Sequence, residues 1–225
     1  MASGPLEPTP KLIELALAVE PRRVLDLGMG TGKYGFLLRE QTDLAYGRSQ
    51  NDWRLHITGV EGYAENVGPH QRSVYDDITV AEIADVVGVY QGDRFDLTLL
   101  IDVIEHFAPH DARDLVNRVL QISRYLLIST PTAYYAQDNG NNPLQRHRSW
   151  WPQSELRRLG HRGIFGKIGH CNIALLAAAD QTLPNVAFTR PFRTLGSYAK
   201  DRLLPELYYR RIRREVGPRL SQAGS

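Results

Sequence analysis

The run Val24-Leu-Asp-Leu-Gly-Met-Gly-Thr-Gly32 restricts the fold more than any other stretch of the chain. Val24, Leu25 and Leu27 surround a lone acid, Asp26, and glycines end the run. A short apolar segment ended this way is what a parallel strand covered on both faces looks like. Gly28, Gly30 and Gly32 then alternate. Lacking a Cβ, they allow unusual backbone angles and let a ligand lie against the main chain. Lys33 to about Gln41 reads as a helix. A strand, a glycine loop and a helix N-terminus together make a binding corner for a nucleotide-like ligand in an α/β protein.

The glycine spacing discriminates between ligands. A dinucleotide fingerprint needs G-x-G-x-x-G. Counted from Gly28, its third glycine is replaced by Lys33; counted from Gly30, the pattern reaches Gly32 and Gly35, but Gly35 falls inside the helix. No Gly-Lys-Ser/Thr follows, which excludes a phosphate loop. The form Asp26-x-Gly28-x-Gly30-x-Gly32 resembles the first motif of class I S-adenosylmethionine-dependent methyltransferases. That resemblance implies S-adenosyl-L-methionine as cofactor, with Asp26, Gly28, Gly30 and Gly32 along its methionine and ribose part. It also implies a Rossmann-like, seven-stranded, mostly parallel sheet with helices on both faces and an antiparallel last strand. The bland reading of the same residues is an ordinary strand-to-helix turn.

Downstream segments fit the same plan. Lys11 to Val19 has helical spacing and would cover the first strand. Asp43 to Arg54 is polar and reads as an insertion. Leu55 to Val60 is the next strand, followed by Glu61. A carboxylate there can accept hydrogen bonds from both hydroxyls of a ribose. Glu61 stands 29 positions after Gly32, beyond the ~20 of a dinucleotide fold, and the insertion accounts for the excess. An exposed loop acid is the other reading. Tyr63 to Ser73 is of mixed character, and Ile78 to Val80 is a short third strand. By the resemblance, the acid after that strand meets the adenine amino group. Glu82 holds that place, with Asp76 and Asp77 as competitors.

Phe95 to Ile101 is a clear buried strand. It ends in Asp102-Val-Ile-Glu105-His106-Phe107, which resembles the Asp-Val-Ile-Glu-His motif after the fourth strand of many of these methyltransferases. Ligands bind at the carboxyl ends of such strands, so Asp102, Glu105 and His106 are expected at the site, Asp102 as a cofactor contact. Pro109 to Ser123 has one apolar helical face, and Tyr125 to Ser129 is the fifth strand. Thr132 to Pro152 then lacks periodicity but is rich in aromatic, amide and cationic side chains, which suits a sugar or hydroxylated ring. Its Gln137, Asn142-Pro143 and His147-Arg-Ser-Trp-Trp151 resemble a bacterial subgroup of poorly defined acceptor, over roughly residues 22–178. Gln153 to Leu159 is a short helix. Ile164 to Ile168 and Ile173 to Ala178 are closing strands that the resemblance makes antiparallel.

Methyl transfer depends chiefly on alignment of nucleophile and methyl group. An oxygen nucleophile also has a proton to lose, and a neutral imidazole is the usual acceptor near pH 7. His106 and His147 are the two candidate catalytic residues. For each, the competing reading is a histidine that only hydrogen-bonds the pocket wall. Asp102, Glu105, His106 and either His110 or His147 have the ligand chemistry of a metal site. Spacing alone shows no convergence, and no metal ligand is assigned.

The chain-wide numbers fit one domain. With 225 residues, 42% hydrophobic and 23% charged, it can bury a core of its own. One cysteine excludes an internal disulfide, and the opening segment has no apolar signal core, so a cytoplasmic protein is expected. Residues 1–21 form a lead-in and covering helix, 22–180 the cofactor-binding domain, and 181–225 an extension. That extension carries nine Lys/Arg against three Asp/Glu, while the remainder is net −4. Its basic helix from Pro205 has three open uses: packing on its own domain, a homodimer interface, or contact with an anionic surface. Nucleic acid is not firmly implied. The expected activity is methylation of a small-molecule or sugar acceptor at oxygen. The alternatives are a nicotinamide-dependent oxidoreductase and a non-catalytic S-adenosylmethionine-binding module.

Overall fold

The computed structural model describes residues 4–90, 94–136, 142–186 and 188. Seven strands form one sheet: β1 (Arg23–Leu27), β2 (His56–Glu61), β3 (Asp77–Val80), β4 (Phe95–Ile101), β5 (Ser123–Pro131), β6 (Gly163–Ile168) and β7 (Cys171–Ala177). Their order is β3-β2-β1-β4-β5-β7-β6. The first five pair in parallel, and β7 runs antiparallel between β5 and β6. This is the expected Rossmann-like architecture.

Helices cover both faces because strand side chains alternate. Along β5, Leu126 and Ile128 join one apolar cluster and Leu127 joins the other. The first cluster is closed by α5 (Pro109–Ile122) through Ala112, Leu115, Val116 and Val119. The second is closed by α1 (Thr9–Leu17) through Leu12, Leu15 and Ala16, together with Leu38 of α2 (Lys33–Thr42). Three short helices complete the fold: α3 (Pro69–Arg72), α4 (Ile83–Val86) and α6 (Gln153–Arg157). Among the described residues no helix is long and apolar enough to cross a membrane.

The structure moves several expected boundaries. The first helix starts earlier, at Thr9, and ends at Leu17, so Val19 lies beyond it. Glu20 takes a left-handed φ of 48° and Pro21 follows, which together stop the helix. β5 is longer than expected because α5 leads straight into it, and β7 pairs it as far as Pro131. The supposed insertion at 43–54 is packed onto the domain. Its anchor is Arg39, 0% exposed, whose Nη1 meets Asp43 at 2.9 Å and whose Nη2 meets Asp76 at 2.6 Å. Asp43 in turn accepts the backbone N–H of Arg54 at 2.8 Å. The helix expected from Pro205, and with it the question of dimer or anionic surface, lies outside the described residues.

Candidate active site

The sheet order decides where the site forms. From β1 the chain passes to β2 on one side and later to β4 on the other, and a cleft opens at such a reversal. Asp26 lies beside Gly59 of β2 and Leu99 of β4, so the loops after all three strands emerge together. The glycine loop is pinned at its start: the N–H groups of Gly28 and Met29 both donate to the Val60 carbonyl, at 2.9 and 3.0 Å. Gly28, Gly30 and Gly32 have φ of 74°, 51° and 77°, a region that other residues occupy only at a cost. Gly30 donates its N–H to Glu61 Oε2 at 2.9 Å. The other oxygen of Glu61 accepts from the Tyr63 N–H and from Asn66 Nδ2, at 3.0 and 3.1 Å. Glycine loop and second-strand acid are thus one unit. Gln71, 1% exposed, clamps it from behind by donating to the carbonyls of Gly30 (2.9 Å) and Asn66 (2.6 Å).

Asp26 is 3% exposed and accepts the Tyr75 hydroxyl at 2.6 Å. Burial pushes its carboxyl from the ordinary 3.8 up to about 6, with the tyrosine bond opposing and the charge of Glu61 adding to the rise. Tyr75 fits only because Gly35 lacks a side chain: a Cβ there would lie 2.3 Å from the phenol. Gly35 therefore serves packing within α2 and not a pyrophosphate, which removes the loose dinucleotide match. Gly32 also departs from expectation. It is the left-handed N-cap of α2, set against Gln71 and Tyr75, and stands outside the cavity lining.

After β3, Glu82 caps α4 and lines the cavity with Ile83 and Ala84. Asp76 and Asp77 stand at the opposite end of that strand. Asp76 is bound to Arg39, and Asp77 meets His56 at 2.8 Å. Of these acids, Glu82 is the one that lines the cavity.

The end of β4 makes the other wall. Asp102 has a left-handed φ of 54°, rare for a non-glycine residue and common at functional sites. Its N–H donates to the Ser129 carbonyl at 2.9 Å, and its carboxylate accepts the Ser129 hydroxyl at 3.0 Å. Burial raises its pKa, while Ser129 and Lys33 oppose the rise. Glu105 is 2% exposed, and its Oε2 has no hydrogen-bond partner among the described residues. Burial first, then the charge of Asp102, push its carboxyl up to about 8.

Residues 146–151 dock on this wall from forty positions away. The backbone N–H groups of Arg148 and Ser149 both donate to the Glu105 carbonyl, at 2.8 and 3.1 Å. Buried Trp151 holds the Ser149 hydroxyl at 2.7 Å. His147 is thereby set against His106, ring centroids 5.0 Å apart. His106 Nδ1 donates to the Arg146 carbonyl at 3.3 Å, and His147 Nδ1 donates to the Tyr135 carbonyl at 3.0 Å. A carbonyl only accepts, so neutral His147 carries its proton on Nδ1 and its lone pair on Nε2, while the His106 ring has a second backbone acceptor at Asp102 beside Arg146. Burial lowers the pKa of both rings and keeps them neutral near pH 7.

These walls enclose a cavity of about 470 Å³. Asp26, Gly28, Gly30, Glu61, Glu82, Asp102, Glu105, His106 and His147 all line it. No metal ligand was assigned from the sequence, yet Glu105, His106 and His147 each present a ligand atom within 4.8 Å of the others. His110 is exposed on the first turn of α5 and stands apart. Asn66 and Gln71 carried no sequence signal, since neither belongs to a motif. Lys33 was legible only as the first residue of a helix; its ammonium donates to the Gly4 and Pro5 carbonyls, both at 3.3 Å, and draws the N-terminal segment over the cavity. Gln137, Asn139 and Asn141 of the aromatic segment lie outside the described residues.

A strand, glycine loop and helix corner, a second-strand acid bonded to that loop and a polar far wall make a nucleotide-type cleft in an α/β fold. The profile of a family described as a methyltransferase domain matches residues 6–163, and the chain belongs to that family. Enzymes of this class take their methyl group from S-adenosylmethionine. No curated protein matches the chain. Solved structures of similar fold include an O-methyltransferase family protein from Burkholderia thailandensis, with TM-score 0.54 and 16% identity, covering 76% of this chain. This chain spans only 55% of that protein. The N-terminal domain of EvdMO1, solved in the presence of SAH and D-fucose, has TM-score 0.53 and 18% identity, over 79% of this chain and 85% of that one. The PH0226 protein from Pyrococcus horikoshii has TM-score 0.56 and 14% identity, over 76% and 88%. At these identities the likeness is one of fold.

Proposed function

We propose that this enzyme moves the methyl group of S-adenosylmethionine to an oxygen of a small polar acceptor, a sugar or hydroxylated ring. The observation that carries the reading is the bond from the Gly30 N–H to Glu61 in a cavity whose opposite wall presents His106 and His147. Gly28 and Gly30 offer bare backbone to the cofactor over a floor made by Asp26. Glu61 takes the ribose hydroxyls, and Glu82 the adenine amino group beside the apolar Ile83. Asp102 supplies negative charge toward the cationic amino-acid end. Exposed Tyr135 and Leu144 at the rim suit the face of a sugar ring. The solved EvdMO1 domain with SAH and D-fucose is in keeping with an acceptor of this kind.

In the reaction the acceptor oxygen forms a bond to the methyl carbon as the carbon–sulfur bond breaks. The bonding pair stays on sulfur, which loses its charge, and the hydroxyl proton leaves the acceptor. A neutral imidazole of the far wall, His106 or His147, is the group proposed to receive that proton. Buried and free, Cys171 suits a reducing cytoplasm.

Calorimetry with S-adenosylhomocysteine tests the cofactor, and absence of binding to folded protein overturns the reading. Mass spectrometry of a cell extract given the enzyme and labelled cofactor identifies the acceptor. An extract left unlabelled points instead to a binding module without activity. His106→Ala is expected to reduce turnover more than S-adenosylhomocysteine affinity.

A further inference from the structure

We propose that Glu105, His106 and His147 bind a divalent transition-metal ion on the acceptor side of the cavity. Their ligand atoms lie within 4.8 Å of one another. Ligands on one ion at bond lengths of ~2.1 Å stand about 3–3.5 Å apart, so small side-chain rotations close the gap. Two further observations point to a cation. The Oε2 of Glu105 is buried and forms no well-aligned hydrogen bond, the Thr130 hydroxyl being its polar neighbour, and such a group costs free energy unless a donor or a cation meets it fully. Both imidazoles are oriented by a backbone carbonyl at Nδ1, as metal-binding histidines are, and in His147 this leaves Nε2 free to coordinate.

The donor set selects the ion. Two imidazole nitrogens and one carboxylate suit Mn²⁺, Fe²⁺, Co²⁺ or Zn²⁺, whereas Mg²⁺ and Ca²⁺ favour oxygen donors. Three protein ligands leave positions open for a second molecule's oxygen. Given the methyl-transfer reading, on which this role rests, the acceptor's hydroxyl takes an open position. With its imidazole lone pairs given to the ion, the cluster does not itself take the proton; the ion makes the hydroxyl more acidic, and the proton passes to water in place of a histidine. The backbone that carries the cluster is anchored, since the N–H groups of Arg148 and Ser149, next to His147, both donate to the Glu105 carbonyl.

Co²⁺ added to chelator-treated, tag-free protein reports the site through its visible absorption. One equivalent is expected to bind, with affinity at least tenfold weaker in His147→Ala and in His106→Ala, and unchanged in His110→Ala. No binding by the wild-type protein, or binding that survives both cavity variants, overturns the proposal. S-adenosylhomocysteine binding is measured in parallel and is expected to persist in His147→Ala. Co²⁺ bound without S-adenosylhomocysteine would leave the metal site standing and remove the cofactor reading; the reverse result would do the opposite.

Discussion

Gly30→Ala separates ligand contact from backbone strain. An added Cβ at Gly30 meets only the Gly28 carbonyl oxygen, at 4.0 Å, so it projects into open cavity. The substitution still carries the cost of a left-handed φ of 51°, about 1–2 kcal/mol for alanine. For a domain of this size that corresponds to a fall in Tm of about 2–8 °C. If the cofactor lies against the loop, the methyl also occupies its space. Overpacking of that kind costs about 1–3 kcal/mol, a loss of about 5- to 150-fold in affinity. Gly47 provides the matched control. It is exposed, its φ is 68°, and nothing lies within 4 Å of an added Cβ. Gly47→Ala should lose similar stability and bind S-adenosylhomocysteine as the wild type does. The assay is calorimetry on both variants, with thermal melts beside it. Wild-type affinity in folded Gly30→Ala would refute the contact, and equal affinity losses in both variants would refute its locality.

Arg39→Met should destabilise the fold by about 3–5 kcal/mol in urea melts, because buried Asp43 and half-shielded Asp76 lose their shared cation. A loss below about 1 kcal/mol would show that the 43–54 segment is not anchored there. Asp26→Asn should change the pH dependence of stability. A carboxyl raised from 3.8 to about 6 on folding favours the native state below pH 3.8 and loses that contribution as pH rises through 6. The loss is ~3 kcal/mol at 1.36 kcal/mol per pKa unit. Asparagine keeps an acceptor for Tyr75 without ionising, so the difference between the two proteins should grow in its favour from pH 4 to pH 7. A pH-independent difference in urea melts would refute the raised pKa.

Read from the sequence, the positions of the strands were largely accessible. β4 is found at Phe95–Ile101 as expected, because seven apolar-rich residues ended by an acid have few other uses. The packing of the 43–54 segment onto the domain was not legible because its organising residue, Arg39, sits on a helix and looks like a solvent-facing charge. Only the three-dimensional packing shows that it is buried between Asp43, Asp76 and Trp53. Gly32 was read as a ligand contact from its spacing. Its αL geometry makes it the N-cap of α2, and it stands outside the cavity lining.

Local chemistry alone determined the glycine loop, the acid after β2 and the buried strands, since each rests on side-chain size, polarity and nearest-neighbour spacing. Convergence was a tertiary outcome. His147 meets His106 because Trp151 and the Glu105 carbonyl draw a distant segment onto the end of β4. The Glu105 carboxyl is raised to about 8 because burial under the docked segment removes it from water and Asp102 stands near it. Contacts between residues forty apart depend on how the whole chain closes, and no short window of sequence encodes them.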